Sequence, residues 1–189
     1  LCPSSREGKG WRAVIEYTDD LGKTWHSTGP LPADSAYMTR DLERLQPLYS
    51  IQPSILRHPD GRLQILCRSR NSYLTTSWSD DNGTTWSRMT LCDVPNNNSG
   101  TDAVTLSDGR HALVYNDFAT LPGTPKGPRS PLNVALSSDG LDWKRVLTLE
   151  DSPVSQYSYP SMIQGRDGTI HIVYTWRRQR IKHVAVAPF

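Results

Sequence analysis

Three copies of one turn constrain this chain more than any other feature. Ser79-Asp80-Asp81-Asn82-Gly83-Thr84-Thr85-Trp86 has an earlier counterpart, Thr18-Asp19-Asp20-Leu21-Gly22-Lys23-Thr24-Trp25, and a later one, a residue shorter, Ser137-Ser138-Asp139-Gly140-Leu141-Asp142-Trp143. The residue types dictate a tight hairpin. A small hydroxyl closes a strand, an Asp carboxylate takes backbone N–H groups, Gly supplies a positive φ, and Trp enters the next strand to pack beneath the loop. With the Trp residues 61 and 57 positions apart, the turns mark a repeat architecture.

Alternating apolar and polar residues fill the spaces between these turns, as half-buried strands require. Residues 11–17 (WRAVIEY) lead into the first Trp turn, and Trp25 to Ser27 begin the return. Gly29 to Tyr49 holds three prolines and several charges; within it, Ser35 to Gln46 is expected to form one or two helical turns capped by Asp34 or Ser35. From Ile51 onward the pattern is regular, with Asp-Gly hairpins at Asp60, Asp108 and Asp167 set between the Trp turns. Each unit is then about four strands over 50 to 60 residues, the size of a propeller blade.

The expected fold class is therefore all-β: β-propeller blades of four-stranded antiparallel sheets, forming a single domain over 1–189 with about three blades. A tail half-blade, two full blades and a final half-blade leave the ring open. The chain is expected to lack an N-terminal half, or to be completed by a second copy of itself, because propellers close with about four to eight blades. A free-standing two-sheet sandwich is the rival, and the order of the repeats opposes it.

Composition narrows the partners. The chain has 189 residues, 36% apolar and 21% charged, enough for a buried core. A net charge of +2, without a basic tract interleaved with aromatics, excludes a nucleic-acid binder, and no apolar run is near the length that spans a bilayer. Leu1 opens the chain without a leader pattern, so any targeting segment is expected to be absent or removed. Cys2, Cys67 and Cys92 allow at most one disulfide and are expected to be reduced core thiols; they leave the compartment open. Five scattered histidines lack ligand spacing, so neither a catalytic metal nor a cofactor is expected.

The three turns match the Asp-box pattern S-x-D-x-G-x-T-W, and through them residues 11–189 resemble the sialidase (neuraminidase) superfamily, specifically its C-terminal half. The resemblance implies a six-bladed propeller and a glycosidase acting on a terminal acidic sugar. It also implies site residues. Arg68, ending a strand before an Asp box, matches the second of three carboxylate-binding arginines; Arg129 stands where the third lies; Tyr159 falls where the catalytic tyrosine is found, with Tyr157 as rival. Arginine offers a rigid fork for carboxylates, and a tyrosine nucleophile avoids the repulsion that a carboxylate would meet at an anionic sugar. The sequence departs from the family where Gln52 and Thr175 occupy the positions of two glutamates.

Further candidates come from loop ends, which sit together on one propeller face. Asp102 is the candidate auxiliary carboxylate, with a turn-stabilising role as alternative. Arg70 continues the Arg68 strand end, and Asn116 and Asp117 end the corresponding strand a blade later. Arg177, Arg178, Arg180, Lys182 and His183 form the densest positive patch, either a solvated hairpin tip or an anion contact. Trp78 and Trp176 could stack on a sugar, whereas Trp25, Trp86 and Trp143 are expected to pack inside blades. The leading expectation is a sialidase-like glycoside hydrolase with a carbohydrate partner. A non-catalytic glycan- or protein-binding propeller, or a different glycosidase or lyase, is the alternative.

Overall fold

The computed structural model describes residues 1–8, 10–38, 45–121, 123–153 and 156–189. These residues form no helix, and every strand pairing is antiparallel between chain neighbours. The first sheet comprises β1 (Cys2–Arg6), β2 (Arg12–Tyr17) and β3 (His26–Pro30). A short ladder follows, β4 (Tyr37–Met38) with β5 (Leu45–Gln46). The second sheet is β6 (Ser50–Arg57), β7 (Leu63–Ser69), β8 (Tyr73–Ser79) and β9 (Thr90–Pro95), in that order. The third repeats it with β10 (Asp102–Thr105), β11 (His111–Asn116), β12 (Leu132–Ser137) and β13 (Lys144–Glu150). The last has β14 (Tyr157–Gln164), β15 (Ile170–Trp176) and β16 (Arg180–Val186).

The innermost strands β1, β6, β10 and β14 lie side by side, and the sheets stack face to face through three apolar layers. Ala13 and Ile15 of the first sheet meet Ile65 and Cys67 of the second. Leu56, Leu66 and Leu74 on the other face of the second meet Ala103, Leu113 and Ala135 of the third. Val114, Leu132 and Val134 then meet Ile170, Ile172 and Tyr174 of the fourth. Strand side chains alternate between faces, so β7 serves two layers at once and all seven of its residues are buried. Each fully buried Leu or Ile contributes roughly 1.5–3 kcal/mol.

The Asp boxes have the geometry that their residue types dictate. In the second, Asp81 Oδ1 accepts from Thr85 N (2.8 Å) and Ser79 Oγ (2.9 Å), and Ser79 Oγ accepts from Gly83 N (2.8 Å). Trp86 Nε1 donates to Gly83 O at 3.0 Å, and Trp143 Nε1 to Gly140 O at 3.2 Å. Hydrogen bonds from Thr85 above all, and from Thr24 in the first box, hold the Asp81 and Asp20 carboxyls down at about 2.

Three expectations need correction. Cys2–Arg6 is a strand that the apolar pattern does not reveal, so the first blade has three strands. Tyr37–Met38 and Leu45–Gln46 form a ladder in place of the ends of the helical turns, whose middle, residues 39–44, lies outside the described residues. Trp25 is 57% exposed, not packed inside a blade. The cause is stacking order: Trp86 is covered by Ala13 and Ile15 of the sheet before it and Trp143 packs against Cys92 and Val94, but no sheet of this chain precedes Trp25. Cys67 and Cys92 are buried and outside any disulfide, as expected, whereas Cys2 is exposed.

Candidate functional site

Two of the innermost strands begin with the same irregularity. Gln52 precedes Pro53 in β6 and Tyr159 precedes Pro160 in β14, and each has a left-handed backbone, φ 55° and 51°. A register shift falls at each, between Ile51 and Ser54 and between Ser158 and Ser161. Non-glycine residues so held cost about 1–3 kcal/mol, a strain that concentrates where a side chain must be re-aimed. The bulge separates the two tyrosines that a straight strand would place on one face. Tyr157 is 1% exposed and packs in the core between the third and fourth sheets, while Tyr159 is 51% exposed.

Arg68, the penultimate residue of β7, stands opposite Ile51, which brings its guanidinium to the first bulge. Its Nη1 donates to Gln52 Oε1 (3.3 Å) and its Nε to Asn98 Oδ1 (3.1 Å). Asn98 Nδ2 donates to Pro125 O (2.7 Å), and Gly127 N donates to Asn97 O (3.0 Å). The buried loop of Asn96, Asn97, Asn98 and Ser99 thus ties Arg68 to the segment that delivers Arg129. Arg129 O in turn accepts from Tyr157 N (3.0 Å), fixing Arg129 against the start of β14.

Both arginines converge on Tyr159. The Arg129 guanidinium lies 5.2 Å from the centre of the Tyr159 ring, and an Nη1 of Arg129 is buried with no hydrogen-bond partner among the described residues. Partial burial would raise the pKa of the Tyr159 phenol. Hydrogen bonding from Arg68 and then Arg129, reinforced by their charges, outweighs it and lowers the phenol below its ordinary 10. Burial and the neighbouring Arg129 also lower Arg68, against the opposing pull of Tyr159 and Glu7. Gly100 closes the space between the bulges: a Cβ there would stand 3.2 Å from both Gln52 Oε1 and Tyr159 Cδ1.

Arg70 shares a support with Arg68. Their guanidiniums lie 3.9 Å and 4.9 Å from the ring centre of buried Trp11. Asp102 faces elsewhere. Its Oδ1 accepts from Ser54 Oγ (2.8 Å) and Ala103 N (3.0 Å), and its Oδ2 from Met162 N (2.8 Å), so the carboxylate braces β6, β10 and β14 together. Asn116 donates to Pro131 O and Tyr157 O, and Asp117 pairs with Arg145 at 3.5 Å. Trp78 is covered by Arg62 and His58. Trp11, Asn98 and Glu7 enter this neighbourhood without any sequence signal beyond residue type. Among the described residues, no three His, Cys, Asp or Glu side chains are placed to hold a metal.

Antiparallel sheets in sequence around a shared inner edge, with Asp boxes joining their outer strands, define a run of sialidase-like β-propeller blades. The chain belongs to the BNR repeat-like domain family, whose model matches residues 1–172. It is similar in fold to a leech intramolecular trans-sialidase, with TM-score 0.65 and 18% identity, covering 93% of this chain and 27% of that one. It is likewise similar to a K499G mutant of the NanB sialidase from Streptococcus pneumoniae (0.66, 14%, covering 98% and 28%). An intramolecular trans-sialidase from Ruminococcus gnavus aligns at 0.65 and 20%, covering 93% and 38%. The chain therefore spans well under half the length of these structures. No curated protein sequence matches it.

Proposed function

We propose that the face carrying Arg68, Arg129 and Tyr159 binds an acidic sugar, and that the protein is a sialidase-like glycosidase with Tyr159 as nucleophile. The observation that supports this is the convergence of two arginines from neighbouring sheets on one exposed phenol, with a buried guanidinium N–H left unpaired. A ligand carboxylate would take that donor and draw both forks away from the phenol. The Tyr159 oxygen would then attack the anomeric carbon as the glycosidic bond breaks, and water would release the sugar in a second step.

Gln52 cannot accept the phenol's proton, so a carboxylate elsewhere would have to take it; the one whose charge reaches the cluster, through Arg68, is that of Glu7. Residues 1–189 would form one part of a single propeller. The acid that protonates the leaving oxygen would come from blades supplied by a longer chain or a second copy.

The second reading, a glycan-binding propeller without turnover, is favoured by Gln52, whose amide oxygen is engaged by Arg68. The full-length protein assayed against a panel of glycosides separates the two. Turnover in the wild type that falls about a thousandfold or more in Tyr159→Phe is expected for the enzyme. Binding of acidic sugars without turnover would leave only the second reading, and loss of neither in Arg68→Met would overturn both.

A further inference from the structure

The hairpin joining β15 to β16 carries a backbone that its residues do not favour. Gln179 N donates to Trp176 O at 3.0 Å, and both central residues of that turn, Arg177 and Arg178, are left-handed at φ 52° and 53°. Asn-Gly is the pair such a turn prefers, because a Cβ crowds the neighbouring carbonyl in this conformation. Two consecutive arginines retained there point to a use for their side chains.

The surroundings hold those side chains ready. Arg177 N donates to Gln156 O (2.8 Å), anchoring the turn to the lead-in of β14. The Arg177 and Arg180 guanidiniums each lie 4.5 Å from the Trp176 ring centre, so part of their rotamer freedom is already lost. Lys182 is spent on Glu150 at 2.5 Å. The acceptor that Arg177 meets is a long contact to Ser152 Oγ, 3.4 Å, which leaves Arg177 and Arg180 as exposed positive forks steadied on Trp176, with exposed Arg178 between them on the turn.

Position supplies the rest. Trp176 pairs with Tyr157 and Thr175 with Ser158, so the tip emerges at the end of the last sheet where Tyr159 is aimed outward. The basic hairpin stands on the rim of the face that holds Arg68 and Arg129. We propose that it is a second anion subsite, binding a carboxylated or sulfated sugar further along a glycan whose end occupies the Tyr159 site. It extends the glycan reading of that face and rests on it for the placement of the terminal sugar. The ligand class is an acidic oligosaccharide, since three planar forks spaced by a rigid turn suit successive oxyanions.

Calorimetric titration of the full-length protein tests this with galacturonic acid, oligogalacturonides, chondroitin sulfate oligosaccharides, neutral malto-oligosaccharides and oligo-dT. Acidic oligosaccharides are expected to bind about tenfold more tightly than the monomer, with the neutral series gaining nothing. In the double variant Arg177→Asn/Arg178→Gly that gain should vanish while the melting temperature rises by about 2 °C, because strain is relieved as charge is lost. Arg68→Met should abolish monomer binding and leave a residual oligosaccharide binding that the hairpin arginines carry. An affinity independent of chain length, an unchanged gain in the double variant, or oligo-dT binding as tightly as the oligogalacturonides would overturn the proposal. If galacturonic acid fails to bind while oligogalacturonides still bind and lose that binding in the double variant, the placement of the terminal sugar at Tyr159 would be overturned and the anion site on the hairpin kept.

Discussion

Tyr159 combines exposure with a phenol pressed toward ionisation. Burial and the charge of Asp117 push Tyr115 up to about 12, and burial with Glu150 pushes Tyr174 higher still. The folded pKa of Tyr159 lies below its unfolded value, so its contribution to stability is present above pH 10 and is lost as pH falls through the folded value. Phenolate absorbance followed against pH should therefore show one early transition. Tyr159→Phe should delete it and Arg68→Met should shift it upward; a first transition that survives both changes would assign it to another residue. The trio Arg68, Arg129 and Tyr159 was readable because each occupies a stated place relative to an Asp box. Tyr157 was not separable from Tyr159, because the bulge between them decides which face each side chain takes and leaves no mark on periodicity, and Asp102 was not separable because its partners Ser54 and Met162 are 48 and 60 positions away. Asn98 and Trp11 are 30 or more positions from the arginine they support, beyond the reach of any local pattern.

Elements whose logic is local were legible: the Asp boxes and Asp-Gly hairpins fall where turn chemistry places them. β1 was not, since Cys-Pro-Ser-Ser-Arg shows no alternation and becomes a strand only by pairing with β2 and lying along β6. The first box consequently follows the second strand of its sheet, whereas the other two follow the third. Equally hidden was the polar chain that joins the second sheet to the third. Gln64 Nε2 donates to Thr76 Oγ1 (3.0 Å) and Gly140 O (2.9 Å), its Oε1 meets His58 Nε2 (3.1 Å), and His58 Nδ1 lies 3.4 Å from His111 Nε2. Burial first, and then the charge of His58, lowers the His111 pKa to about 4. The unfolded chain thus binds a proton that the folded one refuses between pH 6.5 and 4, so stability should fall as pH drops through that window. A melting temperature that is flat across this range in wild type would contradict the lowered His111. Gly140 is the tightest joint in the network: a Cβ there would come within 2.0 Å of Gln64 Oε1, and its φ is 71°. Gly140→Ala is expected to cost about 2–4 kcal/mol in urea unfolding, against about 1–2 kcal/mol for Gly61→Ala, where the positive φ strains an alanine but nothing stands in its way.

On the scale of the whole molecule, each sheet offers one apolar face to the next, and the series stops at β14–β16. Ile163 stands in β14 where Leu56 stands in β6, and Val173 in β15 where Leu66 stands in β7, counting from the two bulges. The two leucines are buried against the third sheet, while Ile163 is 61% and Val173 39% exposed, with Ile181 of β16 beside them at 76%. An open apolar face of this kind would suit either more blades of a longer chain or a second copy. Residues 1–189 expressed alone should therefore bind an apolar dye and associate with rising concentration in light scattering. Ile163→Lys/Val173→Lys should suppress both while shifting unfolding by less than about 1 kcal/mol, since neither side chain is buried within the chain itself. Should the isolated chain stay monomeric and dye-free, the face would be a solvated surface, and closure of the ring would have to proceed through β1 and the open Trp25 side instead. The same experiment bears on chemistry, because Tyr159 and the basic hairpin belong to the sheet that bears this face. A neighbour docked there would complete the pocket wall beside the phenol, so in a protein that closes its ring the double lysine variant should weaken acidic-sugar binding without touching any residue of the site.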